Sequence, residues 1–384
     1  MASDRPTGNL LRVAPEQPVD GDDPIGAVLA VYTRDLVSAV DQTLADFMAT
    51  EVDALAEIDA AMGGFAATAR DCVLAGGKRV RPTFAYWGWR GAVGGNAPVT
   101  PVLPALATLE LLHTFALVHD DVMDASATRR GRPTAHVAMA AQHAEAGRNG
   151  DSGRFGEAVA VLIGDLCMVW ADQLLARADL PADRLIEVRR GYDRMRVETV
   201  AGQYLDVLGE TDPENWSVER ALRVARYKTA SYTVQRPLLF GASLAGIGGD
   251  DPLLTAYTRY GLAVGEAFQL CDDLLGVYGD PTTTGKPAGD DLRTGKPTAL
   301  LMMARELATP AQLRVLDRGD RLTGAPDVTQ LAEVMVDTGA VGRIERMIDE
   351  RVEDALTALD VAAVDETARS ALVGLANAAT HRRA

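Results

Sequence analysis

The sequence has few aromatic residues and no internal stretch rich in glycine and serine that would mark a linker between domains. Aromatic residues make up 5% of the 384 positions, whereas alanine and leucine dominate the 47% that is hydrophobic. This balance favours packed helices over sheets. Because neither a linker nor a break in composition divides the chain, we expect one large domain, although the length would allow two or three.

Basic residues and cysteines are also scarce. The chain has 54 acidic and 38 basic residues, and its formal net charge of −16 argues against nucleic acid as a partner. Cys72, Cys167 and Cys271 have no Cys-x-x-Cys spacing, which predicts thiols in a reducing compartment. No apolar run reaches the roughly 18 residues of a membrane span, and the N-terminal residues lack the apolar segment of a secretory signal. We therefore expect a disordered tail over 1–24, a folded domain over 25–384 and a cytoplasmic location.

Helical periodicity covers most of the chain after the tail. Apolar residues recur at intervals of three and four over residues 25–61, and residues 217–245 have the pattern of one continuous helix. Residues 309–312, TPAQ, have the pattern of a capping box with proline at the first helical position. Residues 147–155 are polar and rich in glycine, which predicts a flexible loop.

An acidic cluster at the end of an apolar run is the most informative feature. In LELLHTFALVHDDVMD, Asp120 and Asp124 are four residues apart, so they project from one face of a helix. His113 lies nearly on the same line, and Asp121 adds a third carboxylate. Three neighbouring carboxylates repel one another unless something positive neutralises them. Oxygen ligands at this spacing suit a hard cation such as Mg²⁺.

A second stretch, GLAVGEAFQLCDDLLGVYGD, repeats this arrangement. It places Asp272 and Asp273 near the end of an apolar helical run, with Gln269 one turn before them. Two such helices could face each other and hold a metal cluster. For either stretch alone, an acidic pair is more often only the solvated face of a helix.

Two short basic segments indicate anion sites. GGKRVRP places Lys78, Arg79 and Arg81 beside two glycines, where backbone amides and cationic side chains could converge on a phosphate. A basic helix terminus that complements the helix dipole would have the same sequence. RRGRPT adds Arg129 and Arg130 close to the first acidic cluster. These arginines could pair with the carboxylates, or bind phosphate oxygens while the carboxylates bind metal.

Further polar residues lie in apolar helices and in one polar segment. Lys228 and Thr229 are on one apolar helix and Asp206 is on another; each alone would be a satisfied core or surface group. Residues 279–297, which include Lys286, directly follow the second acidic pair. Their glycine, threonine and proline content excludes a long helix. This segment is a mobile lid over a site or an ordinary surface loop.

The ordered set GGKRVRP, HTFALVHDDVMD, RRGRPT, GQYLD, YKTA and QLCDDLLGVYGD resembles the trans-prenyltransferases, the polyprenyl diphosphate synthases, over roughly residues 70 to 300. The segment GDPTTTGKPAGDDLRTGKPT most resembles that of bacterial geranylgeranyl diphosphate synthases. The resemblance implies an all-α fold, a single large helical bundle of the isoprenoid synthase type with a deep central cavity, and a homodimer. It also implies condensation of isopentenyl diphosphate with an allylic diphosphate, with two or three Mg²⁺ ions per site.

The resemblance assigns roles to the motif residues. The expected metal ligands are Asp120, Asp121, Asp124, Asp272 and Asp273. The residues expected to bind the allylic diphosphate are Arg129, Lys228 and Lys286. Thr229 and Gln269 are further expected substrate-binding residues. The residues expected to bind isopentenyl diphosphate are Lys78, Arg81, His113 and Arg130. The expected catalytic residues are Asp120, Asp124, Arg129, Lys228 and Asp272. Gly276 stands where many relatives have a third aspartate, which could weaken one metal site.

Product length is expected to depend on Ala116 and Phe115, four and five residues before Asp120. Small Ala116 leaves depth one turn below Asp120. Phe115 lies about 140° around an ideal helix from Asp120, so it could cap the cavity further down or be turned aside. We hypothesise a twenty-carbon product, geranylgeranyl diphosphate, with fifteen-carbon farnesyl diphosphate as the alternative.

Two other functions are open at this point. A class I terpene cyclase would use the same metal chemistry on one diphosphate and would not need a second anion pocket, which GGKRVRP, His113 and Arg130 would supply. A non-catalytic partner subunit of a prenyl synthase would be expected to lose metal ligands, whereas all five expected carboxylates are present here.

Overall fold

The structure is a computed structural model that describes residues 24–95, 97–212, 215–279, 289–293, 295–317 and 325–380. Within these ranges the chain is almost entirely helical, and the expectation of an all-α fold is confirmed. The strands found there are β1 (Thr128–Arg129) and β2 (Arg132–Pro133), which pair antiparallel as a short hairpin. The expected N-terminal tail lies outside the described residues except for its last position.

The chain forms two compact units. The first is built mainly from Leu29–Thr83 and Asn96–Leu185, and the second mainly from Phe84–Gly95 and Ile186–Ala384. The boundaries at residues 83 and 185 fall inside helices, so neither of them is a linker. The expectation of one folded domain over 25–384 stays a prediction.

The helices that begin before residue 180 are α1 (Pro24–Ile58), α2 (Met62–Val73), α3 (Val80–Val93), a 3₁₀ turn (Thr100–Val102), α4 (Leu103–Met123), α5 (Ala135–Glu145) and α6 (Ser152–Leu175). Those that follow are α7 (Ala182–Thr211), α8 (Val218–Val224), a π-helix (Ala225–Gln235), α9 (Arg236–Leu244), α10 (Pro252–Tyr278), α11 (Asp290–Arg293), α12 (Ala299–Leu307), α13 (Pro310–Leu316), α14 (Ala325–Asp337), α15 (Ala340–Asp360) and α16 (Glu366–Thr380).

In the first unit, α4 is a mostly buried helix that runs antiparallel to α6. Near one end, the Thr108 hydroxyl donates to the Ala171 carbonyl, and near the other, the His119 ring lies 2.9 Å from the Val161 carbonyl. Apolar residues almost all round α4 explain why it lies in the core. The acidic cluster therefore lies at the C-terminal end of a buried helix, α4, which packs against α6.

Two helical segments, Thr100–Met123 and Ser152–Leu175, are long and apolar enough to cross a membrane by length and composition alone. Buried core helices of soluble proteins pass the same test. The expectation that the chain has no membrane span stays a prediction.

In the second unit, α10 packs against the π-helix and against α15. Glu266 on α10 is buried and accepts hydrogen bonds from Arg226 and Arg351, each at 2.7 Å. A buried carboxylate needs such partners because an unpaired charge in the interior is costly. This ion pair network ties α10 to both of its neighbours.

The predicted helix over residues 217–245 is confirmed in extent, since the chain is helical from Val218 to Leu244, but its middle part, Ala225–Gln235, is a π-helix. A π-helix is wider than an α-helix, so neighbouring backbones must approach it closely. Three glycines on neighbouring helices contact the π-helix: Gly202, Gly261 and Gly265. A Cβ added at any of them would lie within 2.5 Å of an atom of the π-helix. Apolar periodicity does not distinguish this widened helix from an α-helix, so the pattern predicted the wrong type of turn.

Replacing Gly265 by alanine is expected to lower the free energy of unfolding by about 1–3 kcal/mol, because a core with no room for the added methyl must shift. The new Cβ would lie 2.3 Å from the Cα of Ala230. The matched control is Gly191→Ala within α7, where nothing lies within 4 Å of an added Cβ. Helix propensity should make that variant more stable by about 0.5–1 kcal/mol. Urea unfolding measures both changes, and equal stabilities of the two variants would contradict the close packing.

Two local predictions have opposite outcomes. The capping box at residues 309–312 is confirmed, with reciprocal hydrogen bonds between Thr309 and Gln312. The predicted loop over residues 147–155 is wrong in its second half, where α6 begins at Ser152. The cause is a cap: the Asp151 carboxylate accepts from the backbone N–H of Arg154 at 2.8 Å.

Candidate active site

The first acidic cluster, Asp120, Asp121 and Asp124, lies at the C-terminal end of α4. Asp124 is the residue that ends the helix, and its backbone N–H donates to the Asp120 carbonyl at 2.8 Å. The three carboxylates differ in exposure: that of Asp121 is buried, that of Asp120 is partly buried and that of Asp124 is exposed. Asp120 and Asp124 are therefore one turn apart at the C-terminal end of α4, as predicted.

Arg129, on β1, pairs with this cluster. Its Nε and Nη2 atoms lie 2.8 and 2.6 Å from Asp121 Oδ1, and Nη2 lies 3.6 Å from Asp120 Oδ2. Burial would lower the pKa of Arg129, but the hydrogen bond and charge of Asp121 outweigh it, so the pKa is raised. This arginine pairs with Asp121, and its role in binding phosphate stays a prediction. Asp121 is thus held by a cation, whereas Asp120 and Asp124 form the more exposed part of the cluster.

Arg79, in the basic segment GGKRVRP, is a structural residue. It is buried, and its guanidinium lies 2.6 Å from Glu110 of α4 and 2.8 Å from Asp41 of α1. Burial would lower the pKa of Arg79, but these two carboxylates raise it overall. Arg79 therefore joins two helices.

Four arginines of the first unit affect the pKa of His113. Burial lowers the pKa of His113 well below its usual range, and the charges of Arg81, Arg130, Arg129 and Arg79 lower it further. His113 is therefore a neutral ring whose pKa is affected by the charge of four arginines, two of which, Arg79 and Arg129, also pair with carboxylates. Such a concentration of positive charge is relieved by an anion, as expected for a diphosphate site.

The Gly76–Gly77 turn positions one of these cations. Gly77 has a φ of 149°, and an added Cβ there would lie 2.9 Å from a guanidinium nitrogen of Arg130, which donates to the Gly76 carbonyl. The turn therefore needs glycine both for its backbone angle and for the close approach of the arginine. Lys78, which follows it, is exposed. The two glycines of GGKRVRP thus bring the two basic segments together.

The low pKa of His113 predicts a loss of stability in acid. The unfolded chain binds a proton near pH 6.5, the ordinary pKa of histidine, whereas the folded chain does so only at lower pH. The free energy of unfolding should therefore fall as the pH drops below about 6.5, down to the folded pKa. The free energy of unfolding of His113→Gln should fall less steeply with decreasing pH than that of wild type. Urea unfolding at pH 7.5, 6.5 and 5.5 measures both. Parallel pH profiles would contradict the depressed pKa.

The second acidic pair, Asp272 and Asp273, lies near the C-terminal end of α10. The Asp273 side chain is buried and accepts hydrogen bonds from Gln269 at 2.9 Å and from the backbone N–H of Ala299 at 3.2 Å. Gln269 in turn accepts from the Thr229 hydroxyl at 2.6 Å. Asp273 therefore fixes the start of α12, whereas Asp272 is partly exposed and better placed for a metal.

Asp206 organises the lysines of the second unit. Its carboxylate accepts from Lys228 at 2.5 Å and from Lys296 at 3.0 Å. Burial would raise the pKa of Asp206, but the charges of Lys296 and Lys228 outweigh this and lower it. One buried carboxylate thus holds two ammonium groups side by side.

These lysines border a pocket in the second unit. Its lining residues are Asp206, Trp216, Ala221, Val224, Ala225, Lys228, Thr229, Gln269, Asp273, Lys296, Pro297, Thr298 and Ala299. The π-helix supplies Lys228 and Thr229, and irregular helices of this kind often occur at functional sites. The pocket therefore brings together three of the predicted substrate-binding residues: Lys228, Thr229 and Gln269.

Sequence reasoning missed Asp206 and Lys296 as site residues. Asp206 is one of many polar residues on α7, and Lys296 is one of several charges in residues 279–297. The spacing along the chain gave no signal that they meet, because their contact joins positions ninety residues apart. Lys286, and the side chains of residues 290 and 291, lie outside what the structure describes. The Gly276 carbonyl accepts from the Gly289 N–H at 2.8 Å, and the effect of this glycine on a metal site stays a prediction.

The two residues predicted to set product length lie on different sides of α4. Ala116 is one turn before Asp120. Phe115 is partly buried, and its ring contacts the ring of His119, with centroids 4.9 Å apart. His119 contacts α6, so Phe115 lies on the α6 side of α4.

The donor set fits magnesium. In the part of the chain that the structure describes, no group of three or more His, Cys, Asp or Glu side chains could hold a metal ion by itself. Mg²⁺ is commonly held by one or two carboxylates together with substrate phosphates, and not by a complete protein cage. Asp120 and Asp124 in one unit, and Asp272 in the other, are suitable partial ligand sets. The fold is that of a helical protein, and these groups are suited to hold a divalent metal together with a diphosphate.

Comparison with known proteins gives the family. The polyprenyl synthetase family model matches residues 65–335, and the chain belongs to this family. A geranylgeranyl diphosphate synthase from Mycobacterium tuberculosis is 36% identical over 74% of this chain and 75% of its own length. An octaprenyl diphosphate synthase from Escherichia coli is 34% identical over 81% of this chain and 87% of its own length. The resemblance drawn from the motifs is confirmed.

A solved structure is similar as well. The geranylgeranyl pyrophosphate synthase of Corynebacterium glutamicum, complexed with isoprenyl diphosphate and magnesium, superposes with a TM-score of 0.85. It is 40% identical, and the match covers 90% of this chain and 98% of that one. The fold of this chain is therefore that of known enzymes of the family.

Proposed function

We propose that this chain is a magnesium-dependent prenyltransferase that condenses isopentenyl diphosphate with an allylic diphosphate to give a short-chain trans-prenyl diphosphate. The observation that carries the proposal is that each unit places aspartates of an acidic motif near a cluster of cations. In the first unit, Arg129 lies 3.6 Å from Asp120 and 2.6 Å from Asp121. In the second, the Asp272 helix borders the pocket that contains Lys228.

The reaction needs groups that stabilise a departing anion. Breaking the carbon–oxygen bond of the allylic diphosphate leaves a carbocation and pyrophosphate. Asp120 and Asp124 in the first unit, and Asp272 in the second, would each hold magnesium, about two or three ions per chain, and bound magnesium would supply Lewis-acid charge to the leaving group. Arg129 in the first unit and Lys228 in the second are each proposed to bind diphosphate oxygens, and Asp206 keeps Lys228 oriented.

The second substrate binds without metal. The guanidinium groups around His113, chiefly those of Arg81 and Arg130, hold the diphosphate of isopentenyl diphosphate together with Lys78. The double bond of this substrate attacks the allylic carbocation, and a carbon–carbon bond forms. The new cation then loses a proton to the released pyrophosphate. A terpene cyclase, which acts on one diphosphate, would not need this cluster, so the cluster supports the synthase.

The proposed product is geranylgeranyl diphosphate, with farnesyl diphosphate as the alternative. The named relatives include both a geranylgeranyl and an octaprenyl diphosphate synthase, so product length is tested directly. The protein is incubated with labelled isopentenyl diphosphate and each allylic primer, and the products are sized. A main product of twenty carbons is expected, and one of thirty carbons or more would refute the proposal. Hydrocarbon released from one allylic substrate alone would favour the cyclase, and no magnesium-dependent turnover would favour the partner subunit.

We also propose that the protein is a homodimer in the cytoplasm. Exposed apolar residues recur at helical spacing along α7: Ile186, Val197, Val200, Tyr204 and Val207. An apolar stripe on a helix surface of this kind fits a subunit contact. Light scattering of the wild type should give twice the chain mass of 40.8 kDa, and Val200→Glu with Tyr204→Glu should give the chain mass. A wild-type monomer would contradict the dimer.

A further inference from the structure

His119 directly precedes Asp120 on α4, and the proposed reaction gives it no role. Its Nε2 lies 2.9 Å from the Val161 carbonyl and 3.7 Å from Asp165 Oδ1, both on α6. An added Cβ at Gly164 would lie 2.2 Å from two atoms of the His119 ring. The ring therefore fits against α6 because residue 164 has no side chain, and contacts from α6 fix its position.

Phe115 lies one turn before His119 and packs on it. The two ring planes meet at 69° with centroids 4.9 Å apart, which is the edge-to-face arrangement that aromatic rings prefer. A residue predicted to limit product length is thus in contact with a histidine that α6 holds in place. Phe115 is five residues, or about 7.5 Å along the helix axis, from Asp120.

We infer that His119 is a positioning residue that holds the Phe115 ring in place as the stop for the growing prenyl tail. The inference rests on the proposed function. A side chain that ends a growing hydrocarbon must resist displacement, and a partly buried aromatic ring can otherwise turn between staggered rotamers. The His119 ring contacts the Phe115 ring from the side of the acidic cluster. The His119 ring is itself held by the Val161 carbonyl and by its close packing against Gly164.

The test is the product-length distribution of four proteins: wild type, Phe115→Ala, His119→Ala and the double variant. Labelled isopentenyl diphosphate and farnesyl diphosphate are supplied, and the products are compared at equal total turnover. Phe115→Ala is expected to lengthen the products. His119→Ala should shift them in the same direction by a smaller amount, because the ring remains but yields to the tail. The double variant should match Phe115→Ala, since His119 acts through the ring.

Gly164→Ala provides a second variant that keeps both rings. Alanine favours a helix over glycine, so the substitution suits α6 locally. Its methyl group would displace the His119 ring, and the product shift of His119→Ala should appear again. The matched control is His143→Ala. His143 packs on the Phe155 ring at 4.5 Å and lies 3.2 Å from the Asn149 carbonyl, so it has the same kinds of contact away from the acidic cluster. This control should keep the wild-type product length.

A wild-type distribution for His119→Ala would overturn the inference, as would a wild-type distribution for Phe115→Ala. A double variant with clearly longer products than Phe115→Ala would also overturn it, because His119 would then act independently of the ring. Wild-type condensation is measured first. Its absence would overturn the proposed function along with the inference, whereas active wild type with unshifted variants would overturn the inference alone.

Discussion

Asp120→Asn is expected to lower kcat for prenyl transfer by about 10² to 10³, the scale seen when one group that stabilises developing negative charge is removed. The neutral amide is a poor magnesium ligand, yet it has nearly the same shape. Asp120 is partly exposed at the helix end, so the free energy of unfolding should change little. The measurement is the steady-state rate with labelled isopentenyl diphosphate at saturating substrates, together with urea unfolding.

A matched control separates this effect from a general loss of negative charge. Asp71→Asn, on α2 in the same unit, removes a well-exposed carboxylate that pairs with Arg70 on the surface. The Asp71→Asn variant should keep a rate of prenyl transfer close to that of wild type, because Asp71 is not one of the predicted metal ligands. Its free energy of unfolding should also change little, because exposed ion pairs contribute little to stability. If Asp120→Asn retained the wild-type rate, Asp120 would not be a metal ligand.

Asp272→Asn should produce a loss of kcat of the same size, about 10² to 10³, and its neighbour should behave differently. Asp272 is partly exposed, whereas Asp273 is buried and holds Gln269 and the first N–H of α12. Asp273→Asn is therefore expected to lower the free energy of unfolding by about 1–3 kcal/mol, because an amide cannot accept both hydrogen bonds in the same way. Asp272→Asn should leave that free energy close to the wild-type value.

Measuring kcat and urea unfolding for both variants decides which of the two aspartates binds metal. The sequence left Asp273 as a possible ligand, and the hydrogen bonds point to Asp272. A full loss of kcat in Asp273→Asn with unchanged stability would reverse the assignment.

The parts of the site that follow from local spacing were predictable from the sequence. Asp120 and Asp124 share a helix face because they are four residues apart, and this spacing depends only on helix geometry. The Thr309 capping box is likewise a contact between residues three apart. Helices and their polar faces are local features, so apolar periodicity was sufficient for most of them.

The parts that depend on long-range packing were not predictable. No spacing indicated that Asp206 would pair with Lys228 and Lys296, because these residues meet only after their helices pack. The sequence also does not reveal which aspartates of the two acidic motifs make structural contacts. Asp121 is held by Arg129, and Asp273 is held by the first N–H of α12.

The π-helix was missed for a related reason. Its residues have ordinary helical composition, and the widened turn is accommodated by glycines on two other helices, among them Gly202 and Gly265. A glycine within an apolar helix indicates that another backbone or side chain packs closely against it, but it does not identify that neighbour. The lysine and threonine of YKTA could therefore be assigned to a helix, but the unusual turn that carries them could not.

The central claim is that Asp120 and Asp272 bind divalent ions together with pyrophosphate. The most direct test is electron paramagnetic resonance of Mn²⁺, used as a probe for Mg²⁺, with inorganic pyrophosphate and the wild-type, Asp120→Asn and Asp272→Asn proteins. Wild type should bind about two or three Mn²⁺ ions per chain when pyrophosphate is present, and each variant should bind fewer. Equal numbers of bound ions in all three proteins would contradict the claim.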